Sequence, residues 1–148
     1  MLLVESCTPI IIDKDHARVG RWLQVHGACQ YNAAAVSIGL ERNGELVAGV
    51  QYEQYTGVGG SMLVSIAVTG RPTKTFMRYI CEYAAYEAKV SMVYAMVAEG
   101  NAKSQRFVEQ MGFVRLCAVP QSHPTGATYL YGLWKSGCKY LTRRLQHG

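Results

Sequence analysis

The chain predicts an α+β (α/β layered) protein built on a mixed, mostly antiparallel central sheet with helices on both faces. Three observations lead there. Alternating apolar residues on either side of Asn43-Gly44 make a β-hairpin. Arg71-Pro72 opens a helical pattern between two apolar strands. Asn101 to Phe113 reads as a capped helix between two further strands.

In chain order, Leu2–Val4 reads as a short strand. Asp13 is placed to cap a helix that carries Val19, Trp22 and Leu23 to a stop near Gly27, with Trp22 in the core. Val36, Ile38 and Leu40 alternate before the Asn43-Gly44 turn, and Leu46, Ala48, Val50 and Tyr52 resume the alternation after it. The Gly57–Gly60 stretch turns into a third strand, Ser61–Thr69, with Met62, Val64, Ile66 and Val68 on one face. A helix with Pro72 at its first position then places Phe76, Ile80, Tyr83, Ala84 and Glu87 on one stripe as far as Lys89. Met92–Ala98 is nearly all apolar, as in a strand covered on both faces. The Asn101 helix follows and ends at Gly112. Phe113–Val119 and Thr128–Trp134 form the last strands, joined by a polar loop over Pro120–Ala127.

With 148 residues, 49% of them hydrophobic and 17% charged, the chain is expected to form one folded domain over residues 1–148, with 135–148 a basic tail. Fifteen basic residues against ten acidic give a formal charge of +5, which favours anionic ligands or partners, CoA and nucleic acid among them. The five cysteines are scattered, have no C-x-x-C pair and are odd in number, so they read as reduced thiols of a cytoplasmic protein. The four histidines have no metal-ligand spacing, and no metal is expected. Glu5 and Ser6 break the short apolar start, so no secretory signal is expected, and no run reaches membrane-span length.

Within Asn101–Phe113, an Asn is followed by Ser104 and, at the end, by Gly112-Phe113. This spacing resembles the second cofactor-binding motif of the GNAT superfamily of N-acyltransferases, and the element order from residue 13 to 140 is similar to the GNAT fold. The resemblance implies acyl transfer from acetyl-CoA to an amine on a small molecule or protein, by a monomer or homodimer. It also implies a cofactor arm paired with the backbone of Ile66, Ala67 and Val68, and phosphates held at the start of the following helix by Arg71, Thr73, Lys74 and Thr75. Asn101 and Ser104 would lie near the arm, and Phe107 would lie either beside the thiol end or in the core.

The chain departs from the family in three places. The phosphate loop Arg71-Pro72-Thr73-Lys74-Thr75-Phe76 lacks both small residues, and Lys74 and Phe76 stand where they could obstruct the backbone. Val108 replaces a Tyr that serves relatives as general acid, and Ser65 replaces an acidic residue. Glu53 acting through water, with Tyr131 or Tyr129 as proton donor, is the substitute pair considered. Substrate choice is assigned to Gln30–Ala35, Gly57–Gly60 and Pro120–Ala127.

The hairpin ending Ala48-Gly49-Val50-Gln51-Tyr52 and the tail from Tyr131 to Leu141 resemble a phage and prophage branch of GNAT-like proteins. The leading expectation is therefore a phage-encoded acetyl-CoA-dependent N-acetyltransferase. Two alternatives stand beside it: a GNAT-like binding or virion-associated module without turnover, and nucleic-acid association through Lys135, Lys139, Arg143 and Arg144.

Overall fold

The computed structural model describes Thr8–Leu141. Its elements are β1 (Ile10–Ile12), α1 (His16–Val25), β2 (Val36–Arg42), β3 (Glu45–Glu53), β4 (Ser61–Val68), α2 (Lys74–Glu82), β5 (Met92–Ala98), α3 (Ala102–Met111), β6 (Val114–His123) and β7 (Gly126–Trp134). The seven strands form one sheet in the order β1-β2-β3-β4-β5-β7-β6. Only β4 and β5 run parallel; every other pair is antiparallel. The expected strand at Leu2–Val4 and the tail beyond Leu141 lie outside the described residues.

The two faces of the sheet divide the helices. On one face, Ile38, Leu40, Val50, Met62, Val64, Val93 and Val97 pack with Phe76 and Ile80 of α2 and with Phe107, Val108 and Met111 of α3. On the other, Val19 and Leu23 of α1 pack with Leu46 and Ala67. Gly39 and Gly49 are cross-strand partners in β2 and β3, and together they form a shallow seat for α1. A Cβ at Gly39 would come within 2.9 Å of Val19 Cγ2, and one at Gly49 within 3.2 Å of Val19 Cγ1. Two missing side chains thus set how closely α1 approaches the sheet.

Several local expectations shift. Asp15, not Asp13, caps α1, its carboxylate accepting from the Arg18 N–H at 3.3 Å. Asp13 instead accepts a bond from the Tyr79 hydroxyl, which pushes that phenol up to about 12. Trp22 is half-buried at the edge of the α1 cluster. Thr73, not Pro72, opens α2, its hydroxyl accepting from the Phe76 N–H at 3.1 Å. The helical stripe continues beyond α2 as a wider π-helical turn at Tyr83–Glu87. The Pro120–Ala127 loop contracts to a turn at Pro124-Thr125, because β6 continues as an exposed edge strand where Pro120 costs no ladder bond. Met92–Ala98 is covered on one face only: Val93, Ala95 and Val97 are buried, whereas Met96 is 55% exposed. On the other face α1 packs chiefly on β2 and β3 and less on β4.

α3 ends as its sequence requires. Gly112 has φ +107°, and a Cβ there would meet the Gly137 carbonyl oxygen at 2.7 Å. Gly112→Ala combines a left-handed backbone penalty with a backbone clash, and is expected to lower unfolding free energy by about 2 kcal/mol or more. Gly27→Ala, at φ +76° with open space around it, is expected to cost only about 1 kcal/mol. Chemical denaturation of both variants checks the contrast.

Candidate functional site

β4 and β5 pair from Ser61↔Met92 to Val64↔Ala95, and there their ladder stops. Beyond that point β4 stays on β3 as far as Ala48↔Val68, and β5 stays on β7 as far as Ala98↔Thr128. The last residues of the two parallel strands therefore part into a wedge, with the β5-facing backbone edge of Ser65–Val68 free of strand partners. At about 3.3 Å per residue, that edge is long enough to receive an extended ligand as a further strand would be received.

The wedge opens into a cleft of about 870 Å³. Val64, Ile66, Ala95, Met96 and Leu130 give it apolar walls; Asn101 and Ser104 line it at the start of α3; and His26, Gly27, Ala28, Ser122, His123 and Thr125 line it from the loop after α1 and from the β6–β7 tip. Asn101 also caps α3, its side-chain oxygen accepting from the Ser104 N–H at 3.1 Å. Capping and a place at the cleft thus coexist in one residue, as the sequence reading allowed.

A second hollow, of about 720 Å³, lies between the start of α2, the outer face of α3 and the segment after β7. Arg71, Lys74, Lys103, Arg106 and Lys139 line it together with Val68, Phe107 and Tyr140. Its walls hold five basic side chains and no acidic one. Thr73 spends its hydroxyl on Phe76 and its carbonyl on Met77, which leaves the first-turn N–H groups of Lys74 and Thr75 at the positive end of α2. Phe76 does not obstruct this place, since its side chain is fully buried in the core. Lys103 and Arg106 were missed by the sequence reading. Their signal was present as an i,i+3 pair of cations on one face of the Asn101 helix.

Glu53 and Tyr131 are not brought to the cleft. Glu53 accepts from Asn32 Nδ2 at 2.8 Å and from Gln51 Nε2 at 3.1 Å, and it borders a separate hollow with Tyr55 and Glu87. Tyr131 is wholly buried and donates its hydroxyl to Glu109 at 3.0 Å; burial pushes the phenol up, with the Arg115 contact opposing. Ala67 faces α1, while Ile66 lines the cleft and Val68 the basic hollow. Phe107 is 3% exposed and belongs to core and hollow wall at once.

Among the substrate segments expected from sequence, the β6–β7 tip lines the cleft. Residues Asn32, Ala34 and Ala35 border the Glu53 hollow instead, and Gly59 and Gly60 bond to Lys89 and Ser91 at the far end of β4. Ser65, with Gln51 behind it, lies against Cys29; burial pushes that thiol up, the Ser65 hydrogen bond opposes and the Glu53 charge adds to it.

Of the expected basic tail, Lys135 and Lys139 are described, and they serve different places. Lys139 points into the hollow, and Lys135 places its ammonium 4.8 Å from the centre of the Tyr86 ring. Arg143 and Arg144 lie outside the described residues. Among the described residues, no group of three or more His, Cys, Asp and Glu side chains could hold a metal ion, and no helix is long and apolar enough to cross a membrane.

No family model matches the chain, and no curated protein matches it. Solved structures do. Mutant forms of the spermidine/spermine N-acetyltransferase SpeG from Vibrio cholerae match at TM-score 0.68 and 12% identity, over 87% of this chain and 96% of theirs. Another mutant of SpeG from Vibrio cholerae matches at TM-score 0.66 and 15% identity, over 95% and 99%. A chimera of Vibrio cholerae SpeG and hSSAT matches at 0.62 and 14%, over 90% and 96%. Likeness at such identities establishes architecture, and on that ground the chain has the GNAT-like α+β fold that these N-acetyltransferases share.

Proposed function

We propose that the protein is an N-acetyltransferase that binds acetyl-CoA in the wedge between β4 and β5 and transfers the acetyl group to an amine entering from the α1 side. The observation that carries this reading is the continuity of a free strand edge with a basic hollow. The ladder stops at Val64↔Ala95, and Val68, at the end of that edge, borders the hollow lined by Arg71, Lys74, Lys103, Arg106 and Lys139. A ligand with an amide-bearing arm and a phosphate-rich end fits such a sequence of surfaces.

Acetyl-CoA, when bound, supplies an acyl group activated as a thioester. The backbone edge of Ser65–Val68 orients the arm, and the side chains of Arg71, Lys74, Lys103, Arg106 and Lys139, with the N–H groups of Lys74 and Thr75, neutralise the phosphates. Side-chain cations here take the part for which relatives use glycine-exposed backbone. Asn101 and Ser104 offer polar groups beside the arm.

His26 and His123 are the titratable side chains lining the cleft among the described residues, and we assign proton handling to them in place of Glu53 and Tyr131. The Nδ1 of His123 accepts from the Thr125 N–H at 3.2 Å, so its Nε2 is the nitrogen available to a substrate. His26 rests against Trp22 with ring centroids 4.4 Å apart. Two imidazoles, four hydroxyls and the apolar Met96, Val119 and Leu130 suit an amine on an apolar body better than a polycation, which would need carboxylates to recognise it.

The assignment to a phage-type branch rests on the hairpin and tail sequences, and the cytoplasmic setting on the scattered cysteines. A second reading, a CoA-binding module without turnover, is favoured by Val108, which is wholly buried at the family's Tyr position, and by Ser65.

Isothermal titration with CoA tests the binding step. Lys74→Glu and Arg106→Glu are each expected to weaken binding by about tenfold or more, since charge-assisted hydrogen bonds contribute about 1.5–3 kcal/mol each. Arg21→Glu, on α1 across the sheet, should leave it unchanged; wild-type protein that fails to bind millimolar CoA would sink the proposal. Turnover is tested by thiol release from acetyl-CoA with phenethylamine and with spermidine, the former being the better acceptor. His26→Gln combined with His123→Gln is expected to lower kcat by about 10²-fold or more at unchanged CoA affinity. Binding without any thiol release would select the second reading.

A further inference from the structure

Behind α2, away from the cleft, Cys81 and Cys138 meet across a sequence separation of 57 residues, with their sulfurs 2.8 Å apart. Both are buried, at 6% and 3% exposure. Cys81 lies in the last turn of α2, and Cys138 follows the 3-10 turn Lys135–Gly137 after β7. Tyr52, Ile80, Ala84, Leu133 and Leu141 surround them. Neither thiol has a part in the acyl-transfer reading.

We propose that Cys81 and Cys138 are an oxidisable pair that closes to an intramolecular disulfide on exposure to a hydroperoxide. The separation exceeds the bond length of about 2.05 Å by under an ångström, so a small side-chain rotation closes it. A cavity of about 30 Å³ is bounded by both cysteines, room for a molecule of water size. A space of this size favours hydrogen peroxide over bulkier thiol reagents.

The two sulfurs are chemically unequal. The contact with Cys81 lowers the Cys138 thiol below its ordinary value; burial opposes this, and backbone hydrogen bonds at Tyr140 and Leu141 lower it further. The Cys81 thiol is raised by the same contact and by burial. The Cys138 thiolate is therefore the nucleophile. It attacks one peroxide oxygen, the O–O bond breaks, and a sulfenic acid and, after protonation, one water result. Cys81 then attacks the Cys138 sulfur, its proton leaves with the sulfenic hydroxyl as a second water, and the S–S bond forms. In sum, two thiols lose two electrons and two protons, and one hydrogen peroxide is reduced to two waters.

The bond has a structural consequence. Lys139 and Tyr140, next to Cys138, form one wall of the basic hollow, and Lys74 and Met77 of α2 form the opposite one. Oxidation would tie the segment behind the first wall to the helix that carries the second. It would also close a long loop, which restricts the unfolded chain.

The experiment treats folded wild-type protein with hydrogen peroxide, blocks remaining thiols with iodoacetamide under denaturing conditions, and maps peptides by mass spectrometry. Exposed Cys117 reports that the oxidant has acted. The expected result is a Cys81–Cys138 cross-linked peptide lighter by two hydrogen atoms than the two separate peptides, lost on reduction, with a denaturant midpoint that rises on oxidation and returns on reduction. Cys81→Ala and Cys138→Ala should each lack the cross-link and show no rise of the midpoint. Alkylation of both Cys81 and Cys138 while Cys117 is oxidised would overturn the proposal, as would cross-links between chains in place of the internal one. Neither result depends on CoA binding, so this inference and the acetyltransferase reading fail separately.

Discussion

The parting of two neighbouring parallel strands is the constraint on which the rest of the molecule depends. Parallel strands with free edges would ordinarily zip together along their length, because each unpaired backbone group costs free energy unless it finds a partner. Here both ends are held outward. The Thr69 and Gly70 N–H groups both bond to the Val47 carbonyl, keeping the end of β4 on β3. On the other side, Gln105 of α3 donates to the Ala98 and Glu99 carbonyls at 3.1 and 2.8 Å, and Glu99 exchanges bonds with Ala127 on β7. The wedge is thus maintained by hydrogen bonds that satisfy the strand ends elsewhere, and the edge of Ser65–Val68 between them has no strand partner on the β5 side.

That arrangement explains why chemistry and packing separate so cleanly along single elements. In α3, Asn101 and Ser104 serve the cleft, Lys103 and Arg106 the basic hollow, and Phe107, Val108 and Met111 the core. In α2, the first turn offers a positive end to anions while Phe76 anchors the helix and Tyr52, donating to the Ile80 carbonyl at 2.8 Å, ties it to β3. The loss of loop glycines, which looks damaging when written as a string, is accommodated because Phe76 turns into the core and Lys74 out to solvent. Cations from three separate segments line one hollow beside that helix start.

Much of the fold was legible because it is encoded locally. Asn43-Gly44 specifies its turn through two positive φ values, 54° and 82°, Gly112 ends α3 in the left-handed region, and alternation along β2, β3 and β4 sets their inward faces. The site was less legible. Ile66, Asn101 and Ser104, which line the cleft, belong to compact local patterns, whereas His26 and His123, which line it too, lie almost a hundred residues apart and carry no local mark of that. Glu53 and Tyr131 share strand positions with plausible chemistry, but only their partners, Asn32, Gln51 and Glu109, show that both are already engaged.

By itself the sequence determined the order of the elements from α1 to β7 and the Asn101 cap and Gly112 stop of α3, since propensity, turn chemistry and periodicity act over a few residues, while the caps of α1 and α2 fell on Asp15 and Thr73, one or two positions from those expected. The tertiary structure decided where β4 leaves β5, which cations gather in one hollow, and which face of β5 remains open. Those outcomes depend on backbone hydrogen bonds and side chains that meet from distant segments, and no local pattern records such meetings. The same holds for Cys81 and Cys138, unremarkable in the string and in contact in the fold.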